Sequence, residues 1–136
     1  LPISTDPHAK AHARTIAAEM YAGFGALRAA TPMNLRETYP PRPWDADVTK
    51  DIARIQDLWR HARARFGGEG DFLFGDFTIA DAMYAPVVTR FKTYAVDLDE
   101  VCSTYADAVL NLPAMQKWRA EAAEEPWVIE KCRRPV

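Results

Sequence analysis

Residues 79–94, IADAMYAPVVTRFKTY, constrain the chain more than any other stretch. Ile79, Met83, Val87 and Phe91 recur on one side at helical spacing, and Ala80, Tyr84 and Val88 fall on another. A helix that is apolar almost all round belongs in the middle of a bundle, with the remaining elements packed about it. Its entrance is marked as clearly. Thr78 and Asp81 stand three residues apart ahead of the apolar run, the spacing of a capping box: the threonine side chain accepts a backbone N–H of the first turn, and the acid reaches back to the threonine's own N–H. The negative charge of Asp81 also sits at the positive end of the helix dipole. No His, Ser or second acid stands at a spacing that would orient Asp81 as an acid or base. The expected role of the pair is structural, and no catalytic residue is expected in the chain.

Further helices surround this one. Asp6 and Pro7 suit the N-cap and first position of a helix whose stripe, Ile16, Met20, Phe24 and Leu27, implies one long element interrupted by nothing more than the weak helix formers Gly23 and Gly25. Val48, Ile52, Ile55, Trp59 and Phe66 define a second, closed by Gly67 and Gly68. Val101, Tyr105, Val109 and Leu112 define another after Asp99, and Pro113 opens a last one that stops before Pro126. Between the first two lies TPMNLRETYPPRPWDAD, a connector held extended by Pro40, Pro41 and Pro43 and long enough to cover a groove. No segment alternates with period two. The expected fold is all-α, a bundle of about five helices around a buried central one, with residues 1–136 forming a single domain.

Composition excludes several classes of function. The 136 residues are 49% hydrophobic and 26% charged, which fits an ordinary globular domain rather than a disordered or fibrous chain. The net charge of −2, with Lys and Arg scattered, offers no basic footprint for nucleic acid. No apolar run nears the roughly 20 residues that span a bilayer, and residues 1–20 lack the pattern of a secretory signal, so a cytoplasmic protein is expected. Cys102 and Cys132 are in no metal or redox spacing and read as reduced bystanders. A first residue of Leu1 rather than methionine reads as a piece of something longer.

Three groups of residues carry the remaining chemistry. His8 and His12 share a helical face but have no third ligand at a recognisable spacing, His61 being on a different helix, so no metal is expected. Arg90 stands on the buried helix among Val87, Val88, Phe91 and Tyr94, where a guanidinium cannot be left unpaired. It either reaches an acid such as Glu19 or opens into a cleft where an anionic ligand meets it. Met20, Tyr21 and Phe24, with Met33, could line an apolar pocket that accommodates varied ligands; the same stripe is also what a core looks like.

The segment FGDFTIAD, Phe74–Asp81, resembles the entrance of the central helix in the C-terminal domain of cytosolic glutathione transferases. DPHAKAHARTIAAEMYAGFGALR is similar to the first helix of that domain in bacterial members, and LPAMQKWRAEAAEEPW to its closing helix, so the resemblance covers essentially the whole chain. Pro86 inside the third helix and VDLDE are similar to zeta-type transferases and maleylacetoacetate isomerases; beta-type enzymes are the alternative class. The resemblance implies a homodimeric enzyme that joins glutathione to a small hydrophobic electrophile or isomerises it. In such enzymes a thioredoxin-like N-terminal domain holds glutathione and activates its thiol, and residues 1–136 show no βαβ pattern of that kind. This chain would supply the electrophile pocket, with Met20, Tyr21, Phe24, Met33 and Arg90 as its residues, and part of the dimer surface. It would bind no cofactor by itself and be inactive alone, with glutathione as co-substrate of the full-length enzyme. The rival reading is a free-standing helical module that uses the same fold for protein interaction.

Overall fold

A computed structural model describes residues 6–125. Six helices follow one another: α1 (Pro7–Ala22), α2 (Gly25–Ala30), α3 (Ala46–Phe66), α4 (Ile79–Thr93), α5 (Glu100–Leu110) and α6 (Pro113–Glu124). Among the described residues there is no strand, only isolated bridges between Phe72 and Gly75 and between Phe74 and Asp76. The fold is all-α.

Local chemistry sets the helix limits. Asp6, Asp45 and Asp99 each accept a backbone N–H of the first turn they precede, and Pro7 and Pro113 occupy first positions where a missing N–H costs nothing. Gly67 ends α3, and Gly68 beyond it is left-handed at φ 53°, a conformation glycine enters without steric cost.

The first helix differs from the expected single element. The chain breaks at Gly23 and Phe24 into α1 and α2, and Phe24 adopts φ 61°, ψ 34°. Apolar spacing passes through such a break unchanged, because Met20, Phe24 and Leu27 all remain buried on either side of it. The new start is held from outside: the Asp51 carboxylate on α3 accepts the Leu27 N–H at 3.0 Å, supplying the cap that Phe24 cannot give.

α4 is the hub. Nine of its fifteen residues are buried, and it packs against both α1 and α5. Trp59 of α3 lies fully buried beside it, with the rings of Tyr84, Phe91 and Tyr105 at centroid distances of 6.0, 5.6 and 4.9 Å, within the range where aromatic pairs add to plain burial. The Tyr84 hydroxyl donates to the Ile16 carbonyl at 2.9 Å and so joins α4 to α1.

The connector, residues 31–45, is anchored to the last turns of α4. Tyr39 N–H donates to the Thr93 carbonyl at 2.7 Å, the Thr93 hydroxyl donates to the Asn34 carbonyl at 2.6 Å, and the Tyr94 hydroxyl donates to the Pro32 carbonyl at 2.7 Å. Tyr39 stacks on Tyr94 at 5.3 Å. The prolines keep the segment extended, but its position comes from these bonds.

Candidate functional site

At the entrance of α4 the Asp81 carboxylate is fully buried. One oxygen accepts the Thr78 N–H at 2.8 Å and, more weakly, the Thr78 hydroxyl at 3.4 Å; the other accepts the Leu73 N–H at 3.2 Å and the Tyr105 hydroxyl at 2.8 Å. Thr78 in turn accepts the Ala80 N–H at 3.3 Å. The pair forms a reciprocal capping box, and the carboxylate extends it by holding the 67–78 loop through Leu73 and α5 through Tyr105. Burial pushes the Asp81 carboxyl above the usual carboxylate range, with the bonds from Thr78, Tyr105 and Leu73 pulling the other way. Its lone pairs are occupied by structural donors, which leaves no open face for a substrate.

Arg90 is half-buried and reaches backbone carbonyls. Its guanidinium donates to the Arg28 carbonyl at 3.2 Å and to the Thr31 carbonyl, binding the end of α2 to α4. Glu19, the acid suggested for it, belongs to Arg54 of α3 through two hydrogen bonds of 2.8 and 2.9 Å. That fork lowers the Glu19 carboxyl below its ordinary range, the Arg54 hydrogen bonds being the main cause.

The other four residues named for an electrophile pocket occupy different depths. Met20 and Phe24 are buried in the main core. Met33, on the connector, is half-buried, with its sulfur 3.7 Å from the Thr89 hydroxyl oxygen. Tyr21 is 79% exposed, so of the five it alone presents a ring and hydroxyl fully to solvent.

The histidines are arranged in a way that spacing did not reveal. His12 and His61 come together across α1 and α3 with ring centroids 5.0 Å apart, while His8 stays exposed at the start of α1. Phe66 and Phe74 flank His12 at 5.4 and 6.1 Å, and its Nε2 is buried without a hydrogen-bond partner among the described residues. Burial first, then the nearby His61 and Arg65, lowers the His12 pKa. No group of three or more potential metal ligands occurs among the described residues. The meeting of His12 with His61 could not be read from the i to i+4 spacing of His8 and His12, because contacts between helices carry no periodic signature.

Cys102 is fully buried, and its thiol donates to the Gln56 carbonyl at 3.6 Å. Burial, together with Asp99, pushes its pKa up to about 12, so it is no nucleophile near neutral pH. Cys132 lies outside the described residues.

With this geometry in place, the comparison with protein families is decisive. The family described as glutathione S-transferase, C-terminal domain, matches residues 10–123. The chain belongs to that family. The match runs from α1 almost to the end of α6, so the glutathione S-transferase C-terminal domain encompasses the capping box, the central helix and all five residues named for the pocket. A search of curated proteins finds no match. No helix among the described residues is long and apolar enough to cross a membrane.

Proposed function

We propose that this chain is the electrophile-binding and dimer-forming part of a cytoplasmic glutathione transferase that conjugates or isomerises small hydrophobic electrophiles. The observation that carries this reading is the family match over residues 10–123. In the proposed arrangement a thioredoxin-like domain binds glutathione and stabilises its thiolate. The helical domain holds the second substrate near that sulfur, where orientation lowers the barrier by removing the entropy of encounter. Tyr21 is the contact residue of choice, since its ring and hydroxyl are open. Met33 on the connector and Arg90 on α4 are the proposed further contacts, and Met20 and Phe24, buried in the core, complete the set. The same reading extends to a bacterial zeta-type, isomerase-like or beta-type class, on the strength of Pro86 within α4 and the VDLDE segment.

Residues 1–136 alone should fold and show no turnover of glutathione with an aryl halide. The full-length polypeptide should turn over, and Tyr21→Ala in it should raise KM for the electrophile about tenfold, the loss of one good contact of about 1.4 kcal/mol, with KM for glutathione unchanged. Turnover by residues 1–136 alone, or an inactive full-length polypeptide, would overturn the proposal; the latter would favour an interaction module.

A further inference from the structure

Two cavities adjoin where α4, α5 and the connector meet. The larger, about 240 Å3, is a groove walled by Val88, Phe91, Val96, Leu98, Ala106 and Leu110. The smaller, about 60 Å3, is polar: Arg36, Lys92 and Arg119 line it together with Glu37 and the hydroxyls of Thr89 and Thr93. Thr38 and Lys92 line both, so an ammonium stands at the junction of an apolar groove and a cationic pocket.

Two of the cations there are the basis of the site, Lys92 and Arg119. The pocket's carboxylate, Glu37, accepts the Tyr39 hydroxyl at 2.6 Å. Asp107 adds a second acid on the groove side. Lys92 and Arg119 form no ion pair among the described residues. The Thr89 and Thr93 hydroxyls donate to the Pro86 and Asn34 carbonyls, which leaves their oxygens able to accept but commits their protons. The donors still available to a ligand are therefore mainly those of Lys92 and Arg119.

The geometry points to a binding site for a small aromatic monoanion, its apolar body in the α4–α5 groove and its carboxylate at Lys92. Size limits the body. An apolar cavity of about 150 Å3 accepts a benzene, so the groove has room for roughly two fused rings, and it falls below the ~300 Å3 at which drug-sized pockets begin. Charge limits the head. A single carboxylate gains charge-assisted hydrogen bonds that a neutral molecule forgoes, while Glu37 and Asp107 oppose a second negative charge. None of Met20, Tyr21, Phe24, Met33 and Arg90 lines either cavity, so the inference does not rest on the role proposed for them.

The test is titration of the intact chain with 2-naphthoate and with neutral 2-naphthalenemethanol, followed by calorimetry and by backbone amide shifts. Naphthoate should bind at least tenfold more tightly than the alcohol, lose that advantage as salt is added, and shift amides within residues 88–110. Lys92→Met should weaken naphthoate about tenfold and leave the alcohol unaffected, Lys92→Arg should retain binding, and Asp107→Asn should tighten it. Both positions, Lys92 and Asp107, are solvent-exposed, so these variants keep the fold. Equal affinity for acid and alcohol, indifference to Lys92→Met, or shifts confined to α1 would overturn the inference. So would naphthoate binding that appears only after residues 126–136 are removed, which would mean that the chain itself fills the groove.

Discussion

Asp81 shows how much a single carboxylate can organise once it is buried. From sequence, Asp81 is half of a capping box, and lost caps cost about 0.5 to 2 kcal/mol. The structure adds the Leu73 N–H and the Tyr105 hydroxyl to its partners. A buried donor stripped of its acceptor costs a further 1 to 3 kcal/mol or so. Asp81→Ala should therefore lower the unfolding free energy by about 3 kcal/mol, against about 1 kcal/mol for Thr78→Ala, both read by urea denaturation. Equal costs for the two would mean that Asp81 acts as a cap and nothing more. The capping box was legible because its members lie three residues apart. Tyr105 was not, being twenty-four positions away with only a core stripe to place it, and the meeting of His12 with His61 was hidden for the same reason.

At the scale of elements, the first helical segment separates what periodicity can tell from what it cannot. The stripe Ile16, Met20, Phe24 and Leu27 is buried throughout, yet it belongs to two helices. A left-handed conformation costs a non-glycine residue about 1 to 2 kcal/mol, and burial of the Phe24 ring, worth about 1.5 to 3 kcal/mol, offsets it. The two neighbouring glycines looked alike in sequence and have opposite roles. A Cβ at Gly23 would stand 2.8 Å from the Glu19 carbonyl oxygen, whereas one at Gly25 would meet nothing within 4 Å. Gly23→Ala should thus destabilise by about 1 to 2 kcal/mol through the strain of that contact. Gly25→Ala should stabilise by about 0.4 to 1 kcal/mol by restricting the unfolded chain. Thermal melts of the two variants decide it: shifts of the same sign would show that the break is not set by Gly23.

Across the whole molecule, α4 gathers the other parts along its length. Its first turn holds the 67–78 loop and α5 through Asp81, its middle packs on α1 and Trp59, and its last turns hold α2 and the connector. The sequence showed that this helix is central; it did not show that Arg90, placed among apolar neighbours, would donate to the carbonyls of Arg28 and Thr31. Carbonyls leave no periodic trace, so these two bonds were not legible. If the guanidinium is a tie between α4 and the segment before α3, its removal should loosen that segment more than the core. Arg90→Met keeps much of the apolar stem and removes the donors, at a cost of roughly 1.5 to 3 kcal/mol for bonds to a charged group. Hydrogen exchange at the Tyr39 amide, which donates to the Thr93 carbonyl, should then accelerate about tenfold or more, since each factor of ten reports about 1.4 kcal/mol of lost protection against local opening. Amides in the middle of α3, near Trp59, should change less. Equal acceleration at both places would show that Arg90 supports the core as a whole and does not act as a tie to the connector.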